Sequence, residues 1–131
     1  MKPCMQEKQL FEYAVIRVVP RVDREEFLNV GVIAYCHSSR WLGMRYAVDE
    51  ERLRAFSPEL DLAEVAAHLK GFEEIVAGSA AGGPIGLLDK ASRFRWLTAT
   101  RSTIIQSSRV HPGFCGDMPG ELERLYAKMV S

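Results

Sequence analysis

The chain lacks an excess of charge of either sign, and it lacks any long apolar run. Its 17 lysine and arginine residues equal its 17 aspartate and glutamate residues, so the formal net charge is zero. Proteins that hold nucleic acid through overall charge are strongly basic, so this balance argues against that function. A membrane-spanning helix needs roughly 20 consecutive apolar residues, and no run approaches that length. We therefore expect no membrane partner, and nucleic-acid binding is disfavoured unless it uses a local basic stripe.

Cysteine is scarce, and the common catalytic motifs are missing. The three cysteines, Cys4, Cys36 and Cys115, are odd in number and widely spaced, which favours free thiols over a disulfide framework. Residues 1–10 lack the apolar core of a signal peptide, so we expect a cytoplasmic protein. The chain contains no P-loop, no H-E-x-x-H zinc motif and no G-x-S-x-G nucleophile motif. We expect no metal and no cofactor.

Apolar runs predict an antiparallel sheet. Tyr13–Val19 and Leu28–Tyr35 are β-branched and apolar on both alternating faces, which is typical of strands buried on two sides. Gly31 lies within the second run, where glycine costs stability unless another backbone, a bulky side chain or a ligand must come close. Trp41–Val48 follows a tight turn and completes a three-stranded antiparallel meander. Thr98–Ser108 contains a later strand.

Apolar residues at helical spacing predict two long amphipathic helices. The first begins at Asp61, whose side chain caps it, and the second closes the chain, with Pro119 near its start. Asp49 caps a shorter helix, and Leu87–Leu97 predicts another. Between these helices, Gly78–Gly86 is small and rich in glycine, so we expect a mobile loop.

The order of these elements predicts the fold class. A block of strands followed by helices is typical of an α+β fold with an antiparallel sheet. We expect residues 1–10 to form a flexible N-terminus and residues 11–131 to form a single α+β domain. Because the two amphipathic helices need an apolar surface, we expect both to pack on one face of the sheet. Residues 110–117 are expected to form a loop.

The densest polar cluster begins at Arg93 and mixes arginine with hydroxyl side chains. Planar guanidinium groups and short hydroxyl donors together suit a phosphate or a carboxylate. The predicted anion-binding residues are Arg17, Arg101, Ser102, Thr103, Ser107, Arg109 and His111. The alternative interpretation is that these residues are solvated edge and loop positions, with Arg17 paired to Glu25 or Glu26.

A shared strand face is the geometric basis of this predicted site. If residues 103–109 form a strand, Arg101, Thr103, Ser107 and Arg109 lie on one face, with about 7 Å between alternate positions. Arg17 on the first strand is expected to join them.

Two blocks of the sequence resemble a bacterial family. The opening signature of domain-of-unknown-function family 3037 is similar to residues 13–33, YAVIRVVPRVDREEFLNVGVI. A second block of that family resembles residues 93–117, RFRWLTATRSTIIQSSRVHPGFCGD. The similarity covers the chain from about Phe11 to Val130. It implies no established activity, but it implies a protein partner, namely a kinase-like protein of the HipA type beside which family members are expected to be encoded.

Three functional hypotheses follow. The leading one is a small accessory module that is not an enzyme and binds a partner protein or a phosphate-like anion, because a complete catalytic set is missing. The alternative is an enzyme acting on a phosphorylated substrate, with His111 as general acid/base and arginines as charge clamps. The third is nucleic-acid binding by the arginine face, with Trp96 or Phe114 stacking on bases, which the neutral net charge disfavours.

Overall fold

A five-stranded antiparallel sheet forms the centre of the structure. The structure is a computed structural model that describes residues 8–101 and 103–130, apart from the side chain of Val22. The strands are β1 (Gln9–Val18), β2 (Leu28–Cys36), β3 (Trp41–Tyr46), β4 (Ile105–Ser107) and β5 (His111–Cys115). Their order is β3-β2-β1-β4, and β5 also pairs with β1. The predicted α+β class, the meander and the later strand are confirmed.

Strand β1 is paired along both of its edges. One edge pairs with β2, and the other is shared by β5 near the start of β1 and by β4 near its end. The strand begins at Gln9, so the last residues of the predicted flexible segment 1–10 belong to the sheet, while residues 1–7 lie outside the described part.

Ser108 connects β4 to β5 along this shared edge. Its backbone N–H donates to the carbonyl oxygen of Val15 at 2.8 Å, and its hydroxyl oxygen accepts from the N–H of Val15, also at 2.8 Å. The hydroxyl donates in turn to the Arg109 carbonyl oxygen at 2.8 Å. The side chain therefore satisfies a buried backbone donor where the regular strand pairing is interrupted.

Replacing Ser108 with alanine is expected to lower the free energy of unfolding by about 1–2 kcal/mol, because the buried Val15 N–H loses its acceptor. Urea denaturation followed by circular dichroism measures the change. Ser79→Ala is the matched control, because Ser79 is exposed and its side chain caps nothing. Its expected change is within about 0.5 kcal/mol. Equal changes in the two variants would contradict the proposed role of the Ser108 hydroxyl.

The described residues form five α-helices in addition to the sheet. They are α1 (Glu50–Phe56), α2 (Leu62–Ala77), α3 (Gly83–Gly86), α4 (Lys90–Leu97) and α5 (Met118–Met129). Aspartate caps four of them, since the side chains of Asp49, Asp61, Asp89 and Asp117 accept hydrogen bonds from backbone N–H groups of the first helical turn. The caps predicted at Asp49 and Asp61 are confirmed. Within the described residues, no helix is long and apolar enough to cross a membrane.

The first core lies between one face of the sheet and helices α2 and α4, and we call this the α2 face. Ile16 of β1 and Ile33 of β2 point to this face and are fully buried against Leu69 and Leu97. Ile33 is opposite Ala14 in the strand register, and Ile16 shares a face with Ala14 because alternate residues of a strand point the same way. The apolar stripe predicted for the Asp61 helix is confirmed as the cover of this core.

The second core lies on the opposite face, under α5, and we call this the α5 face. Val32 and Ala34 of β2 cluster there with Leu122 and Leu125 of α5. The prediction that both amphipathic helices pack on one face is therefore wrong. The physical reason lies in the strands themselves, because β1 and β2 are apolar on both faces and a sheet covered on one side alone would expose a second apolar surface.

Two segments predicted as loops contain regular structure. Gly78 ends α2 in the left-handed conformation, with φ of 74°, and a 3-10 turn over Ala80–Gly82 leads directly into α3. Residues 110–117 contain β5, although Pro112 and Gly113 lie within it. Strand β5 is at the sheet edge, where a proline that cannot donate a hydrogen bond is tolerated. The elements next to these two segments are shorter than predicted, since α4 begins at Lys90 and β4 has three residues.

Candidate functional site

Arg101 packs against the helices of the α2 face. Its Cζ atom lies 4.3 Å from the ring centroid of Trp96 and 5.7 Å from that of Phe72, and its guanidinium donates to the Trp96 carbonyl oxygen. Burial lowers the pKa of Arg101. This arginine therefore attaches the segment after α4 to the helices, and it lies on the opposite side of the sheet from Arg17.

The predicted strand face of hydroxyls and arginines is not formed. Since β4 has only three residues, Thr103 precedes the strand and Arg109 follows it. The Thr103 hydroxyl donates to the Ile105 carbonyl oxygen at 2.7 Å, and the Ser107 hydroxyl donates to that of Ser108 at 2.7 Å, so both stabilise the local backbone. The Arg109 side chain is exposed and makes no hydrogen bond or ion pair among the described residues. Ser102 lies outside the described residues.

His111 lies in β5 on the α5 face, opposite Tyr13 of β1. The two ring centroids are 5.4 Å apart, and the histidine is half-buried. Among the described residues, no side chain forms a hydrogen bond with its ring. The predicted general acid/base therefore has an aromatic neighbour instead of the carboxylate or hydroxyl partner that general acid/base chemistry uses.

Arg17 lies on the α5 face near the end of β1, within a row of polar residues. In the strand register it is opposite Asn29 of β2 on one side and Gln106 of β4 on the other. The side chain of Phe27, from the connector before β2, covers it, with the guanidinium Cζ 3.9 Å from the ring centroid. This is a cation–π contact. Arg17 and His111 are two predicted anion-binding residues whose strand positions place their side chains on the α5 face.

The Arg17 guanidinium is half-buried and has no counterion among the described residues. Its Nε is buried and has no hydrogen-bond partner there. Burial lowers the pKa of Arg17, yet an arginine retains its charge at neutral pH. The pairing with Glu25 or Glu26 that the alternative interpretation predicted is absent. Glu26 instead pairs with Arg24, with Arg24 Nε 2.9 Å from Glu26 Oε1.

A pocket of about 290 Å³ opens beside Arg17. Its lining residues are Arg17, Val19, Glu25, Glu26, Phe27 and Gln106. Glu25 adopts a positive φ of 54°, which is uncommon for a residue other than glycine. Because Glu26 is paired to Arg24, Glu25 is the one lining carboxylate without an ion pair among the described residues. We call this feature the Arg17 pocket; it combines unused guanidinium donors with an aromatic wall.

Residues 13–130 match the family described as Protein of unknown function (DUF3037). The match includes every residue that lines the Arg17 pocket and all the buried residues of both cores except Phe11. This chain belongs to the DUF3037 family. No curated protein and no solved structure matches it. The resemblance of the two sequence blocks is thereby confirmed, and the family description assigns the chain no activity.

This DUF3037 chain has a second pocket, of about 360 Å³, which no sequence pattern predicted. It lies where the turn between β2 and β3 meets the start of α4, and we call it the turn pocket. Its lining residues are Tyr35, His37, Arg40, Asp89, Lys90 and Ala91. These two segments are far apart in the chain, and each is interpreted locally as an ordinary turn or helix start, so no pattern in the sequence links them.

The cysteines of the second core are free thiols. Cys36 and Cys115 are both buried and unbonded, as predicted for the described part of the chain. Burial alone would raise the pKa of Cys36, but hydrogen bonds from Ser39 and Ser38 outweigh it and lower the pKa. Burial raises the pKa of Cys115. Among the described residues, no group of three or more histidine, cysteine, aspartate or glutamate side chains is arranged to hold a metal ion.

Proposed function

We propose that this chain is a cytoplasmic binding module, and not an enzyme, which docks an acidic group of a partner protein at the Arg17 pocket. The observation that carries the proposal is the half-buried Arg17 guanidinium, whose Nε has no hydrogen-bond partner and which forms no ion pair among the described residues. A buried polar group left without a partner costs about 1–3 kcal/mol. An incoming carboxylate or phosphate oxygen removes that cost, because it supplies both the acceptor and the counterion.

The surroundings of Arg17 favour a protein partner. Phe27 is 45% exposed although it is a large aromatic residue, and its ring centroid lies 3.9 Å from the guanidinium Cζ of Arg17. Phenylalanine and arginine are both enriched at protein interfaces relative to the rest of the protein surface. A partner that brings an acidic side chain to Arg17 therefore also covers the Phe27 ring. The kinase-like protein of the HipA type implied by the family resemblance is the partner we propose to test first.

Arg17→Met is expected to weaken binding of the purified HipA-type partner by about ten- to a hundredfold, since one charge-assisted hydrogen bond is worth about 1.5–3 kcal/mol. Isothermal titration calorimetry measures the change. Arg109→Met is the matched control, because it removes the same charge from an exposed side chain that has no hydrogen bond or ion pair among the described residues. It should leave the affinity within about twofold of that of the unmodified chain.

Glu25→Gln supplies a test of the opposite sign. The Glu25 carboxylate lines the pocket without an ion pair among the described residues, so it repels an incoming anion. Removing its charge should strengthen binding of the partner. Equal losses in the Arg17 and Arg109 variants, together with no gain in the Glu25 variant, would show that the partner does not place an anion at this pocket.

A further inference from the structure

The turn pocket lies at the other end of the sheet from Arg17 and on the other face. Arg17 is opposite Asn29 on the α5 face, whereas Tyr35 belongs to the core of the α2 face. Along β2, Tyr35 lies about 20 Å from Asn29, at roughly 3.3 Å per residue. A ligand in the turn pocket therefore does not contact Arg17, and the two sites are independent.

Three side chains that can carry positive charge converge on this pocket. The Lys90 ammonium donates to the Arg40 carbonyl oxygen at 2.6 Å, which ties α4 to the turn, and an ammonium group has two further N–H donors. The Arg40 guanidinium forms no ion pair or hydrogen bond among the described residues. His37 Nδ1 is hydrogen-bonded to the Tyr35 hydroxyl at 2.8 Å, which orients the imidazole and leaves Nε2 for another partner.

One carboxylate lines the turn pocket, and it is already engaged. The Asp89 side chain accepts a hydrogen bond from the backbone N–H of Ser92 at 2.7 Å and so caps α4. Hydrogen bonding to Ser92 is also the main reason why the pKa of Asp89 is lowered. The turn pocket is therefore lined by three basic side chains, Arg40, Lys90 and His37, and by one carboxylate. One oxygen of that carboxylate already accepts a hydrogen bond from the helix.

The backbone at Arg40 is strained, and turn geometry does not explain the choice of arginine. Its φ is 54°, in the left-handed region that glycine occupies without a steric penalty. Residues other than glycine held in such a conformation cluster at active sites and ligand-binding sites. The strain therefore indicates that the Arg40 side chain has a role that glycine cannot perform.

We propose that the turn pocket binds a small phosphate monoester. Guanidinium, ammonium and imidazole donors approach from two separate elements, which suits a tetrahedral group with several charged oxygens. The Tyr35 ring and Ala91 line the same pocket and supply an apolar wall for the group esterified to the phosphate. The ligand is therefore a phosphate attached to a compact apolar or planar group.

Titration of the ¹⁵N-labelled chain with phenyl phosphate, inorganic phosphate and benzoate tests this site. Phenyl phosphate should produce saturable shifts in the amide signals of residues 37–40 and 89–91, with weaker binding of inorganic phosphate and the weakest binding of benzoate. Arg40→Gly should reduce the affinity for phenyl phosphate by about tenfold or more without lowering the melting temperature, because glycine relieves the backbone strain.

Two further variants make the result decisive. Arg54→Met removes an exposed arginine of α1 that pairs with Glu50, and it should leave the titration unchanged. Arg40→Met removes the guanidinium but keeps a long side chain at this turn position. Its affinity for phenyl phosphate therefore tests the role of the guanidinium even if the glycine variant loses stability. Unchanged affinity in the Arg40→Met variant, absent saturation, or equal affinity for benzoate would overturn the proposal. Arg17→Met should not affect this titration, so failure here is distinct from failure at the Arg17 pocket.

Discussion

Replacing Arg93 with methionine is expected to lower the free energy of unfolding by about 3 kcal/mol. Arg93 is 7% exposed, and its Nη1 donates to the carbonyl oxygens of Ile75 and Val76, both at 2.9 Å, while its Nε donates to that of Leu88 at 2.9 Å. Carbonyls in the last turn of a helix have no partner within the helix, and a positive charge there is favourable. Methionine fills the space but leaves these buried acceptors without a donor.

Arg95→Met is the matched control for this prediction. It removes the same charge from the same helix, but the side chain is exposed, so the expected change is within about 0.5 kcal/mol. Urea denaturation of both variants measures the difference between them. Similar losses in the two variants would show that the carbonyl contacts of Arg93 contribute little.

Arg93 also explains why the glycine-rich segment after α2 is regular. The guanidinium bridges the end of α2 to Leu88, just before α4, and so encloses the intervening 3-10 turn and α3. Gly78 leaves room for it, since a Cβ atom there would lie 2.7 Å from Arg93 Nη1. The arginine that begins the polar cluster in the sequence is therefore a structural residue and is not available to an anion.

Gly31→Val and Gly71→Ala are expected to change stability in opposite directions. A Cβ atom at Gly31 would lie 2.7 Å from the Tyr46 Cβ and 2.9 Å from the Arg45 carbonyl oxygen, so valine should cost about 3 kcal/mol through backbone displacement. At Gly71, within α2, nothing lies within 4 Å of an added Cβ. Alanine there should stabilise the chain by about 0.5–1 kcal/mol, because it favours the helix.

The same urea denaturation measures both glycine variants. The comparison separates steric crowding from the general effect of removing a glycine, because both replacements restrict the unfolded chain. A loss at Gly71, or no loss at Gly31, would contradict the packing described for the respective position. The sequence pattern had predicted close approach at Gly31, and the Tyr46 and Arg45 contacts confirm it.

Local patterns were sufficient for most of the helices and for the central strands. Asp49 and Asp61 act as caps within their own helical turn, and the apolar stripe of α2 repeats at the period of the helix. Strand β5 was missed because Pro112 and Gly113 are typical of loops, and only the pairing with β1 makes that segment a strand. Such pairing depends on residues distant in sequence, which no local pattern reports.

The residues predicted to form one anion site are not gathered on one strand face, for a related reason. Arg101 and Arg17 are similar in sequence terms, but Arg101 stacks on Trp96 beside the α2 face, while Arg17 lies under Phe27 on the α5 face. An arginine can reach acidic, aromatic or backbone partners, and only packing decides among them. The turn pocket illustrates the same limit, because its cations come from a hairpin turn and a helix start that meet only in the folded chain.

The sequence by itself determined the α+β class, the antiparallel meander and the helix caps at Asp49 and Asp61, because each depends on periodicity or on contacts within a few residues. Only the tertiary structure decided that α5 covers the opposite face from α2. It also decided which arginines have guanidinium N–H groups without an acceptor. A helical stripe shows that a helix must be buried, but it does not show against which of two equally apolar sheet faces. Helix α5 covers the second face because both faces of β1 and β2 are apolar, and removing both from water is favourable.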